Sequence, residues 1–137
     1  MKLNHCFKKK TKILIIGAKE PNDKLVIRFI NGLDTSNIIC LGDNDKMNLN
    51  IYTYAKLKGF TIINSNHYKT GLWKNHSWPS YYDDYNNPDY YKLYYEFLPS
   101  KIYILDDNYD SNIERYKFTE CLDINKVDVI VIKYNSR

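Results

Sequence analysis

Two short polar clusters, each closing an apolar run, hold the residue types best suited to chemistry in this chain. Ile13-Leu14-Ile15-Ile16 stops at Gly17-Ala18-Lys19, and Lys101-Ile102-Tyr103-Ile104-Leu105 stops at Asp106-Asp107-Asn108. A glycine lets the backbone approach a ligand closely. The N–H groups of a helix that starts just beyond it attract phosphate, and Lys19 would add a positive charge. Asp106 and Asp107, with Glu96, are the carboxylates available as a nucleophile or general base. A third cluster, Gly42-Asp43-Asn44-Asp45, closes the run 37–41. Its aspartates and the 106–107 pair could hold Mg²⁺, since hard cations take carboxylate oxygens. No other cofactor is expected.

Several common chemistries lack their signatures. The residues after the first run read Gly17-Ala18-Lys19-Glu20-Pro21-Asn22, with no GxGxxG, and no GxxxxGK[ST] occurs anywhere. A dinucleotide oxidoreductase and a P-loop enzyme are therefore not expected. No GxSxG elbow frames a serine, and Ser65 is one polar residue at a strand end. His67 and His76 could transfer protons or ligate a transition metal. Without a nearby cysteine or third histidine they do not form a zinc set. Trp73, Trp78 and the tyrosines that follow could stack on a base or sugar, or simply bury their segment against a sheet. Polar residues also gather at strand ends because loops are exposed, which is the bland reading of every cluster above.

The elements that would position these clusters follow from hydrophobic pattern. Residues 12–17 read as a strand buried on both faces. A helix over about 21–33 has Leu25, Phe29 and Leu33 at a spacing of four, widened by Val26 and Ile30, with Gly32 near its end. A strand at 37–41, a helix at 47–58 closed by Gly59 and a strand at 60–63 complete β-α-β-α-β. In the second helix Leu49, Tyr52, Ala55 and Lys56 share one side. The alternation then pauses over 64–98, a polar and aromatic excursion of the kind that forms a lid or an interaction surface. Within it Tyr91, Tyr94, Tyr95 and Leu98 share a face of a helix at about 88–98. A strand at 101–105, a helix at 110–124 and a strand at 127–134 close the chain. In the 110–124 helix Ile113, Tyr116, Phe118, Cys121 and Leu122 group loosely. The fold class is α/β, a three-layer Rossmann-like fold with a five-stranded, mostly parallel sheet. If the strand order is 3-2-1-4-5, the binding crevice lies between the first and fourth strands.

Composition bounds the rest. At 137 residues the chain suits one domain, with 1–11 a basic tail. The net charge of +4 draws on Lys2, Lys8, Lys9, Lys10 and Lys12, a basic lead-in without a nucleic-acid-binding module, so nucleic acid is not an expected partner. Heavy use of Lys, Asn, Ile and Tyr fits an AT-rich genome. Three unpaired cysteines, Cys6, Cys40 and Cys121, suggest a reduced compartment, with Cys40 and Cys121 packed as small hydrophobes. No signal peptide and no membrane span is legible, so the expected location is cytoplasmic.

Residues 12–75 resemble the SLOG superfamily of small Rossmann-like proteins, especially its YspA-like branch. The corresponding segments are Ile16-Gly17-Ala18-Lys19, Leu41-Gly42-Asp43-Asn44-Asp45-Lys46-Met47-Asn48, Tyr54-Ala55-Lys56-Leu57-Lys58-Gly59 and His67-Tyr68-Lys69-Thr70-Gly71. Asp43 and Lys46 stand where the family has glycines, and Asn48 replaces its aspartate. The resemblance implies a nucleotide-derived small molecule as ligand, sensed or sequestered. Gly17, Lys19 and Gly42 would contact its phosphate and Asn66, His67 and Trp73 its sugar or base, with Ala18 and Asp43 also lining the site. Two alternatives stand beside this expectation. One is a nucleoside hydrolase or transferase using Asp106 or Asp107. The other is an interaction module forming a homo-oligomer through the aromatic segment.

Overall fold

The computed structural model describes residues 11–17, 22–42, 46–63, 90–123 and 125–133. Its elements are β1 (Lys12–Gly17), α1 (Asp23–Asn31), β2 (Ile38–Leu41), α2 (Lys46–Lys58), β3 (Thr61–Ile62), α3 (Tyr90–Phe97), β4 (Lys101–Leu105), a 3₁₀ segment (Ile113–Cys121) and β5 (Asp128–Ile132). The five strands form one sheet in the order β3-β2-β1-β4-β5, and every neighbouring pair is parallel. This is the three-layer α/β architecture that the alternating pattern predicts.

Strand geometry sends successive side chains to opposite faces, and here each face builds its own core. Ile13, Ile15, Ile39, Leu41 and Leu105 pack with α1 and α2 through Leu25, Val26, Phe29, Ile30, Ile51 and Ala55. Leu14, Ile16, Cys40, Ile102 and Ile104 pack on the other side with Tyr90, Tyr94, Phe97, Tyr116 and Leu122. The uninterrupted apolar run of β1 is thus explained, because all four of its Ile and Leu residues are fully buried.

The helices are fixed at their ends. Asn22 caps α1, its side-chain oxygen accepting from the Leu25 N–H at 3.1 Å. At the other end Lys58 of α2 donates to the carbonyls of Ile30, Asn31 and Leu33 at 2.9, 3.0 and 2.8 Å. These carbonyls lie at the helix terminus, where a cation is favoured by the dipole. Asn50 of α2 donates to Asp23 at 2.7 Å near the start of α1, so the two helices are clamped at both ends.

Several local expectations need correction. In α2 the buried line is Ile51 and Ala55, with Tyr52 half-buried, while Leu49 and Lys56 are exposed. In α3 the buried line is Tyr90, Tyr94 and Phe97, while Tyr95 and Leu98 are exposed. Leu98 takes a left-handed φ of 54° as the chain leaves α3, which turns it away from the helical face it would otherwise continue. The segment expected as a helix over 110–124 is 3₁₀ over Ile113–Cys121, with non-helical angles at Tyr116. Its apolar residues lack a 3.6-residue period, and Tyr116 is drawn inward by a buried acceptor described below. Cys40 is buried as expected, whereas Cys121 is exposed.

Candidate functional site

Winding reverses between β1 and β4. From β1 the chain moves outward through α1 to β2, and from β4 it moves the other way to β5. The assumed order 3-2-1-4-5 is therefore observed, and a crevice at the carboxyl ends of β1 and β4 follows from it. Gly17 and Leu105 are in register as the last residues of their strands, which sets the connections leaving them side by side.

Among the described residues two side chains span this junction. Asn22, while capping α1 through its oxygen, donates its amide to Asp107 Oδ2 at 2.5 Å. That bond joins the β1–α1 connection to the residue following β4. Arg115, from the 3₁₀ segment, donates Nη2 to the Gly17 carbonyl at 3.3 Å. Its guanidinium carbon lies 5.8 Å from the Tyr90 ring centroid and 6.0 Å from that of Tyr116. A half-buried cation is thereby held at the end of β1 between two aromatic rings.

No motif in its segment singles out Arg115. One signal was available. The chain has three arginines, Arg28, Arg115 and Arg137, against seventeen lysines, and a planar guanidinium is the cation suited to bidentate and stacked contacts.

The paired aspartates differ sharply in environment. Asp106 is 1 % exposed. Its Oδ2 accepts from the Tyr116 hydroxyl at 2.6 Å and from Asn112 Nδ2 at 3.0 Å, and its Oδ1 accepts from the Asn108 N–H at 2.9 Å. A buried carboxylate supplied with three donors organises the turn after β4 and draws the 3₁₀ segment against the sheet. Asn112, at the start of that segment, makes no side-chain cap, and its amide donates to Asp106. Burial, reinforced by the hydrogen bond and charge of Asp106, pushes the Tyr116 hydroxyl pKa well above its ordinary value. Asp107 is exposed and faces Asn22.

Gly42 also has a packing reason to be glycine. Its N–H donates to the Ile15 carbonyl at 2.9 Å. A Cβ there would stand 2.9 Å from Ile16 Cγ1, 3.2 Å from the Ile15 oxygen and 3.4 Å from the Tyr90 ring. The bare backbone at the end of β2 admits α3 to the sheet.

The structure thus brings Gly17, Asp107, Asn22 and Arg115 together at the β1–β4 junction, with Gly42 at the end of β2. Ala18, Lys19, Asp43, Asn66, His67 and Trp73 lie outside the described residues, as do Asp45, His76, Trp78 and most of the aromatic excursion; the Glu96 side chain is likewise not described. Among the described residues no group of three or more His, Cys, Asp or Glu side chains is placed to hold a metal ion. No helix among them is long and apolar enough to cross a membrane.

The strand order and the all-parallel pairing define a doubly wound α/β domain of Rossmann-like architecture. No protein-family model, curated protein or solved structure matches the chain.

Proposed function

We propose that this chain binds a small nucleotide-derived ligand, of the nucleotide, ADP-ribose or cyclic nucleotide type, in the β1–β4 crevice, as a sensor or sequestering protein. The observation that carries the reading is Arg115, held at the end of β1 against the Gly17 carbonyl and flanked by Tyr90 and Tyr116. A guanidinium carries its donors in a fixed fork that matches phosphate oxygens. The topological reversal supplies the crevice, and the resemblance of residues 12–75 to SLOG proteins supplies the ligand class. Binding without turnover suits the state of Asp106, whose carboxylate is buried and committed to three protein donors.

Thermal unfolding against AMP, ADP-ribose, NAD, cyclic nucleotides and free nucleosides, with and without Mg²⁺, tests the proposal. A ligand at about 100 times its dissociation constant stabilises the fold by roughly 2.7 kcal/mol. The expected result is a shift with one phosphorylated ligand, absent with the matching nucleoside and removed by Arg115→Lys, which keeps the charge but not the fork. A panel with no shift refutes the reading.

A further inference from the structure

The two edges of the sheet are unlike. β3 ends the sheet with two residues, Thr61–Ile62, whereas β5 ends it with five, Asp128–Ile132. Short strands, prolines and mid-strand charges are the usual means of blunting an edge. β5 reads Asp-Val-Ile-Val-Ile, with charge only at Asp128 and at Lys133 just beyond.

Its backbone direction can be read from its bonds to β4. The Asp128 N–H donates to Ser100 and the Ile132 carbonyl accepts from Asp106. Residues 128, 130 and 132 therefore turn their amide groups toward β4, and by the two-residue period Val129, Val131 and Lys133 turn theirs outward. The side chains are not sealed off either. Val129 is 37 % exposed, and Ile130, Val131 and Ile132 are half-buried. On the α1 side β5 borders a groove of about 630 Å³ whose lining includes Leu25, Phe29, Tyr103 and Ile132.

We propose that β5 is the interface of a two-fold symmetric dimer, in which Val131 pairs antiparallel with Val131 of a second copy. Outward-facing amides call for another strand, and a two-fold axis normal to the sheet at Val131 satisfies them reciprocally. Val131 would exchange both backbone bonds with its counterpart, and Val129 would exchange both with Lys133 of the second copy, twice by symmetry. On the groove side the same register sets Ile130 opposite Ile132 of the second copy, so the two apolar shelves become continuous. No like charges are opposed, and a closed isologous pairing leaves no free β5 edge for further growth.

The test is positional. Amide exchange of the wild-type protein, followed from dilute to concentrated solution, should show Val129, Val131 and Lys133 gaining protection as the dimer forms. Ile130 and Ile132, bonded to β4 throughout, should not change. Two surface variants then check the register by sign. Val129→Lys would face Lys133 of the second copy twice and should weaken the dimer roughly fivefold at low salt, whereas Val129→Glu should tighten it by a similar factor. Sedimentation showing only monomer at millimolar concentration overturns the proposal. So does a dimer whose protection falls on another segment, or one that both variants shift in the same direction.

Discussion

Asp106→Asn is the substitution that an enzymatic reading of the chain would try first, and the structure predicts that it acts on stability. The carboxylate accepts two donors at Oδ2 and one at Oδ1, and it is 1 % exposed. An asparagine can keep the Tyr116 and Asn112 bonds only by turning its own NH₂ toward the Asn108 N–H, which cannot reorient. In that rotamer one hydrogen bond to a charged acceptor is lost, about 1.5–3 kcal/mol, and two others fall from charge-assisted to neutral strength. Some of this is offset because a buried charge has been removed. The net expectation is a destabilisation of about 3 kcal/mol, or roughly 10 °C in Tm for a domain of this size. Urea unfolding with an unchanged m-value gives the number directly. Tyr116→Phe, which removes one donor and leaves two, should cost about 2 kcal/mol. The double variant should lose less than the sum, since the two residues share one bond. An Asp106→Asn protein within about 0.5 kcal/mol of wild type would refute the claim that this carboxylate holds the β4 turn together.

Three further outcomes follow from the same geometry. Gly42→Ala must place a Cβ 2.9 Å from Ile16 and 3.2 Å from a carbonyl oxygen. It should destabilise by about 1–2 kcal/mol after the entropic gain of replacing glycine, as read by thermal unfolding; a stabilised variant would mean that α3 does not pack as described. Asn22→Ala removes the α1 cap and should cost about 1 kcal/mol, whereas Asn22→Asp keeps the cap but sets a second carboxylate against Asp107, a penalty that should fade on acidification. Burial pushes the Cys40 thiol above its ordinary 9.0 and Tyr116 above its ordinary 10.0. The unfolded chain therefore releases these protons first, so their contribution is full below pH 9.0 and is withdrawn as pH rises; Cys40→Ala should flatten the beginning of that decline in Tm.

What the sequence disclosed and what it hid divide along physical lines. The apolar run of β1, the spacing of Leu25, Phe29 and Val26, and the glycine at the end of α1 act through neighbours in the chain, so the strands, the first helix and the fold class were legible. The buried face of α3 is ambiguous in sequence because Tyr90, Tyr91, Tyr94 and Tyr95 offer tyrosines at overlapping helical spacings. Tertiary packing of Tyr90 against Gly42 and Phe118 sets the orientation of the helix, which buries Tyr94 in the same core and leaves Tyr95 exposed. The 3₁₀ segment is hidden in sequence for a related reason. Its conformation answers to Asp106, and a hydrogen bond from Tyr116 to a residue ten positions earlier has no local signature.

The same distinction explains why Asp106 and Asp107 look equivalent in sequence yet do different work. β4 ends with Leu105 facing the α1 side of the sheet, so the next residue turns toward the opposite layer, where Tyr116 and Asn112 wait as donors. Asp107 is carried one position further, into the connection that Asn22 reaches from across the crevice. One aspartate is thus used up in building the wall of the crevice, and the other is left at its mouth. Among the described residues, Asp107 and Arg115 are the charged side chains left at this junction, so substitutions there, set beside Asp106→Asn, separate a role in ligand binding from a role in holding the turn.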